Sequence, residues 1–85
     1  MNISPHKHPM IWIITILGIP VARAHSLGQM GRKLKRISKL LKNHGVAKCF
    51  PPERRVQLPE GLDCKEIRVF VLDGDRWVDT ILYVV

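Results

Sequence analysis

Acidic residues are missing from the first part of this chain. All seven Asp and Glu lie at Glu53 or later, whereas nine of the fourteen Lys and Arg precede that position. The chain carries +7 overall, and the excess sits entirely in residues 1–52. Such a bias points to an anionic partner for that half, either nucleic acid or a membrane surface. Cysteine is scarce as well, with two in 85 residues, and no C-x-x-C or H-x-x-x-H spacing accompanies them. A zinc site is therefore not expected, and the histidines 6, 8, 25 and 44 form no pair. His6-Lys7-His8 reads as a solvated tail with at most weak metal affinity. A Gly-rich phosphate loop is absent, and so is any nucleophile beside a plausible base. At this length a deep, self-built active site is not expected either. The chain reads as a non-enzyme without a cofactor. Wholesale disorder is excluded by 46% hydrophobic residues.

Long hydrophobic runs are lacking too. The longest uncharged stretch, Pro9–Ala22, would rise about 21 Å as a helix, short of a hydrocarbon core of about 30 Å. It contains Ile-Trp-Ile-Ile-Thr-Ile, then Gly18 and Pro20, and is followed by Ala22-Arg23-Ala24. A weakly basic start, a short apolar run, a breaker and an A-x-A triplet form a signal-peptide pattern with cleavage after Ala24. The same residues also read as a buried strand or short core helix, because the isoleucine run is strongly β-prone. A third reading makes them an unused extension, with Met10 or Met30 as the working start.

Three segments follow from this: 1–24 signal-like or apolar, 25–45 helical, 46–85 a small β module. Residues 26–44 read as an amphipathic helix. Leu27, Met30, Leu34, Ile37 and Leu41 form an apolar stripe about 80° wide. Arg32, Lys33, Lys35, Arg36, Lys39 and Lys42 crowd the remainder with no acid among them. Ser26 and Gln29 have the spacing of a capping box, and Asn43-His44-Gly45 is a stop. Gly28 and Gly31 weaken the first turn, which moves the expected start toward Arg32.

From Val46 the apolar period becomes two. Strands are expected at Val46–Phe50, at Arg55–Leu58, over Glu66–Leu72 and from Trp77 to Val85, with a turn at Asp73-Gly74. Ile67, Val69 and Val71 share one face of the third strand; Arg68, Phe70 and Leu72 share the other. The fold class is α+β: an apolar N-terminal segment, one basic helix, and about four short antiparallel strands. Because apolar residues occupy both faces of the last strand, the module is expected to form a homodimer or to pack on the helix.

Val46-Ala47-Lys48-Cys49-Phe50, Arg55-Val56-Gln57-Leu58-Pro59, Leu62-Asp63-Cys64-Lys65-Glu66-Ile67-Arg68-Val69 and Asp73-Gly74-Asp75 together resemble antitoxins of the VapB/MazE type. The resemblance covers residues 46–78. It implies an intertwined, swapped-hairpin dimer in the cytoplasm whose basic loop binds operator DNA, with Lys48, Arg54 and Arg55 as contacts. Residues 1–45 have no counterpart in that family, and no toxin-wrapping tail follows the matched segment. The expectation is therefore a small basic nucleic-acid-binding protein without a toxin partner. Its phosphate contacts would come from Arg32, Lys33, Lys35, Arg36, Lys39 and Lys42, with closer readout by Arg54 and Arg55. The competing expectation is an exported (secreted or periplasmic) cationic protein acting at a membrane or on a secreted partner. A Cys49–Cys64 disulfide would staple that form by about 3 kcal/mol. A third is a structural subunit whose Thr80–Val85 strand completes a neighbour's sheet.

Overall fold

The computed structural model describes residues 10–85, so the His6-Lys7-His8 tail lies outside the described residues. The fold is α+β. The uncharged N-terminal run is neither a helix nor a free segment: it forms strands β1 (Trp12–Ile16) and β2 (Ile19–Ala24). Ile16 faces Ile19 across a two-residue turn in which Leu17 and Gly18 both have positive φ, 58° and 77°. That backbone matches the right-handed twist of the flanking strands, which is why a tight hairpin forms here despite the leucine.

Helix α1 (Leu27–His44) follows at once. Ser26 Oγ accepts from Gln29 N–H at 3.1 Å, and Gln29 Oε1 accepts from His25 N–H at 2.7 Å. The reciprocal cap thus reaches one residue further back than the usual box. With both bonds made, the helix begins at Leu27 despite Gly28 and Gly31. Gly45, at φ 89°, ends it and donates to Leu41 O. Met30, Ile37 and Leu41 are buried and Leu34 is partly so, but Leu27 lies beyond the sheet and is 66% exposed.

Neither of the first two expected strands, Val46–Phe50 and Arg55–Leu58, forms. Val46–Cys49 is a 3-10 turn, and Pro52–Arg55 is a short helix, α2. A strand at 46–50 would place Lys48 on the same face as Val46 and Phe50. The three-residue period of the 3-10 turn buries Val46 and Cys49 and leaves Lys48 in solvent. Pro52 occupies the first turn of α2, where its fixed φ suits a helix and its missing N–H costs nothing. Arg54 N–H then bonds Pro51 O, and the turn continues through Gln57 and Leu58.

Strands β3 (Glu66–Asp73) and β4 (Arg76–Val84) form the expected C-terminal hairpin. Asp73 pairs with Arg76, so the turn residues are Gly74-Asp75, one position later than anticipated; only Gly74 needs positive φ, 67°. The sheet order is β2-β1-β3-β4, all antiparallel. Residues 46–85 therefore contribute two strands of four and no independent sheet. Trp12, Ile14 and Ile16 of β1 meet Ile67 and Val69 of β3 under α1, with Phe50, 1% exposed, also buried in this core. Within one chain, β1 pairs with the β3 edge of this hairpin and the core under α1 takes up one of its faces, through Ile67 and Val69.

This arrangement makes the N-terminal hairpin indispensable. A chain beginning at His25 would lack β1 and leave β3 with an open edge and no core partner. It is expected to show no cooperative thermal transition by circular dichroism. A sharp, native-like melt of 25–85 would contradict the topology.

Candidate functional site

With Met30, Ile37 and Leu41 turned into the core, the helical period sends Arg32, Lys35, Arg36, Lys39 and Lys42 to the solvent side, where all five are exposed. None is paired: among the described residues the one ion pair joins Arg68 to Asp79. Arg32 and Arg36, and likewise Lys35 and Lys39, are four residues apart on one face. Such like-charge pairs each destabilise an isolated helix by roughly 0.2–0.5 kcal/mol. The helix therefore carries a repulsive positive stripe that an anion would relieve.

Lys33 departs from this stripe. It is half-buried at the β2 edge, and its Nζ donates to Arg23 O at 2.7 Å. Together with Gln29, Arg32 and Arg36 it lines a shallow groove of about 370 Å³. Lys48 stands exposed on the 3-10 turn, away from any salt bridge.

Arg54 and Arg55, adjacent in sequence, do different things. Arg55 Nε donates to Phe50 O at 2.8 Å and to Ala47 O at 3.2 Å, tying α2 back to the 3-10 turn. Arg54 makes no such bond. It lines a concavity of about 500 Å³ on the sheet face opposite α1, together with Ile13, Thr15, Arg23, Phe70 and Trp77. The two side chains are thus placed differently, Arg55 on the chain's own carbonyls and Arg54 in the concavity. Arg23 and the two aromatics were not among the expected contacts. The alternation Val21-Ala22-Arg23-Ala24 and the Arg68-Phe70-Leu72 face carried the signal, obscured by the export pattern for the former.

Cys49 and Cys64 are free thiols. Cys49 Sγ is directed at Ile37 O and Gly45 O, 3.7 and 3.9 Å away, and Cys64 Sγ at Glu66 O, 3.4 Å away. Burial, and then the neighbouring Cys64, pushes the Cys49 thiol above its ordinary range. The shift disfavours the Cys49 thiolate, so burial does not activate this thiol. No group of three or more His, Cys, Asp or Glu among the described residues is arranged to hold a metal, and no described helix is long and apolar enough to cross a membrane.

Comparison with family models, with curated proteins and with solved structures finds no match to this chain. Its reading rests on its own geometry. That geometry separates the two arginines experimentally. Arg55→Ala is expected to lower unfolding free energy by about 1 kcal/mol, since it frees two carbonyls from a charged donor at an exposed site. Arg54→Ala should stay within about 0.5 kcal/mol of the parent in the same urea titration. Equal losses would contradict the assignment.

Proposed function

We propose that this protein binds nucleic acid, with the outer face of α1 lying along the phosphates. The observation that carries the reading is the acid-free, unpaired row Arg32, Lys35, Arg36, Lys39 and Lys42. Cations so placed bind polyanions largely by releasing condensed counterions, which needs no base recognition. Lys33, through its groove with Arg32 and Arg36, adds to the row on the β2 side. Lys48 supplies a further exposed cation on the 3-10 turn after the helix. An anionic membrane would satisfy the same charges, but interfacial helices also insert an apolar face. Here Met30, Ile37 and Leu41 are already committed to the core, which favours the nucleic acid.

The proposal does not extend to toxin neutralisation, and it does not lean on the antitoxin-like stretch. Two of the segments that carry that resemblance, 46–50 and 55–58, are not strands here.

The test is a titration of labelled DNA across a salt series. The logarithm of the affinity is expected to fall linearly with the logarithm of salt. Replacing Arg32, Lys35 and Lys39 by Gln should reduce the slope by roughly 0.9 for each duplex phosphate that is no longer neutralised. Absent binding, or binding indifferent to salt, would contradict the function.

A further inference from the structure

The sheet has two faces and α1 covers one. On the other, the strand registers set Ile13 beside Phe70, Leu72 beside Trp77 and Arg68 beside Leu82. None of these apolar residues belongs to the core cluster, and Trp77 and Leu82 are each 49% exposed. An apolar sheet face that stays open is unusual for a lone chain and marks a place where something docks. The occupant is specified by what accompanies the aromatics. Two guanidinium groups from different elements, Arg23 of β2 and Arg54 of α2, line the same concavity as Phe70 and Trp77. The third arginine on this face, Arg68, is neutralised by Asp79. The net charge in the concavity is therefore positive and comes from Arg23 and Arg54.

A second copy of the chain fits poorly. A two-fold contact through this face would bury Arg23 and Arg54 of both protomers together, four guanidinium groups with no acidic residue in the lining of either concavity. An apolar peptide would leave both guanidinium groups without a counter-charge. A ligand with flat apolar rings joined by anions matches both features, and in a nucleic acid the rings are free to meet protein aromatics only where the strand is unpaired. The two basic surfaces are also continuous. Lys33, which shares a groove with Arg32 and Arg36, bonds the backbone of Arg23, whose side chain lines the concavity on the sheet's far face.

We propose that the open sheet face is a binding site for single-stranded nucleic acid, with Phe70 and Trp77 stacking unpaired bases while Arg23 and Arg54 hold the adjoining phosphates. This rests on the nucleic-acid reading of α1 and names the form of nucleic acid preferred.

The experiment compares a labelled oligo-dT of about 12 nucleotides, within the reach of one small domain, with a blunt duplex of equal length. The full chain and its Trp77→Ala, Trp77→Phe and Arg54→Ala variants are titrated, each first shown by circular dichroism to melt as the parent does. The single strand is expected to bind at least about fivefold more tightly than the duplex and to quench tryptophan fluorescence. Trp12 is only 8% exposed, so the quenching reports Trp77 and disappears in both of its variants. Trp77→Ala should weaken single-strand binding about tenfold, the loss typical of one stacked base, and leave the duplex nearly unchanged. Trp77→Phe should retain most of the affinity. Equal affinity for both forms, with no effect of Trp77→Ala or Arg54→Ala, would overturn this site while leaving the helix reading intact. Failure of both oligonucleotides to bind would overturn both readings. A sedimentation shift from dimer to monomer on Trp77→Ala would assign the face to a second copy and overturn the proposal.

Discussion

Everything in this fold depends on β1 being held between two partners. Its five residues pair with β2 on one side, and four of them, Trp12 to Thr15, pair with β3 on the other. Trp12, Ile14 and Ile16 fill the core, and Thr15, on the opposite face, is 5% exposed and satisfies its hydroxyl by donating to Arg68 O. The core face of this strand has no room for a charge, because Trp12, Ile14 and Ile16 are shut off from water and no counter-ion is at hand. The uncharged run in the sequence follows from that position. The strand also joins the first residues of the chain to the last hairpin, so the sheet closes only when distant segments meet.

From this placement the rest follows in order. With β1 central, α1 has a single sheet face to cover, and its apolar stripe is used up in covering it. Its cations are then obliged to face water, in a row with no acid to temper them. The same one-sided cover leaves Phe70, Leu72, Trp77 and Leu82 outside the core on the far face. A basic outer layer and an aromatic under-surface are two consequences of one packing decision. Arg23, alternating outward from β2, and Lys33, at the helix edge, connect them.

The elements legible in the sequence are those whose period is long or whose turn is chemically demanding. The stripe Met30, Leu34, Ile37 and Leu41 and the break at Gly45 specify α1; Ile67, Val69 and Val71 with Gly74 specify the β3–β4 hairpin. The exposure of Leu27 and the first residue of the helix are not legible there, because tertiary cover and a capping bond from Gln29 decide them. Short alternations are ambiguous. Val46–Phe50 reads equally as period two or three, and only the cost of burying Lys48 selects the 3-10 turn. Pro51-Pro52 reads as a strand terminator in sequence, yet in the fold Pro52 starts a helix. The uncharged run that ends at Ala22 bears the hallmarks of a leader because a central strand and a leader both need a short apolar, uncharged stretch. Of the site, the helix cations are visible as a charge pattern, whereas the separation of Arg54 from Arg55 depends on two carbonyls that no sequence pattern displays.

The most direct test is residue-resolved amide hydrogen exchange of the full chain in its native state. Amides of Ile13 to Ile16 should be among the slowest, opening only with the whole molecule, as expected of a central strand. Rapid exchange at 12–24 alongside strong protection at 66–84 would show that the N-terminal hairpin is not part of the sheet, and the account of both surfaces would fall with it.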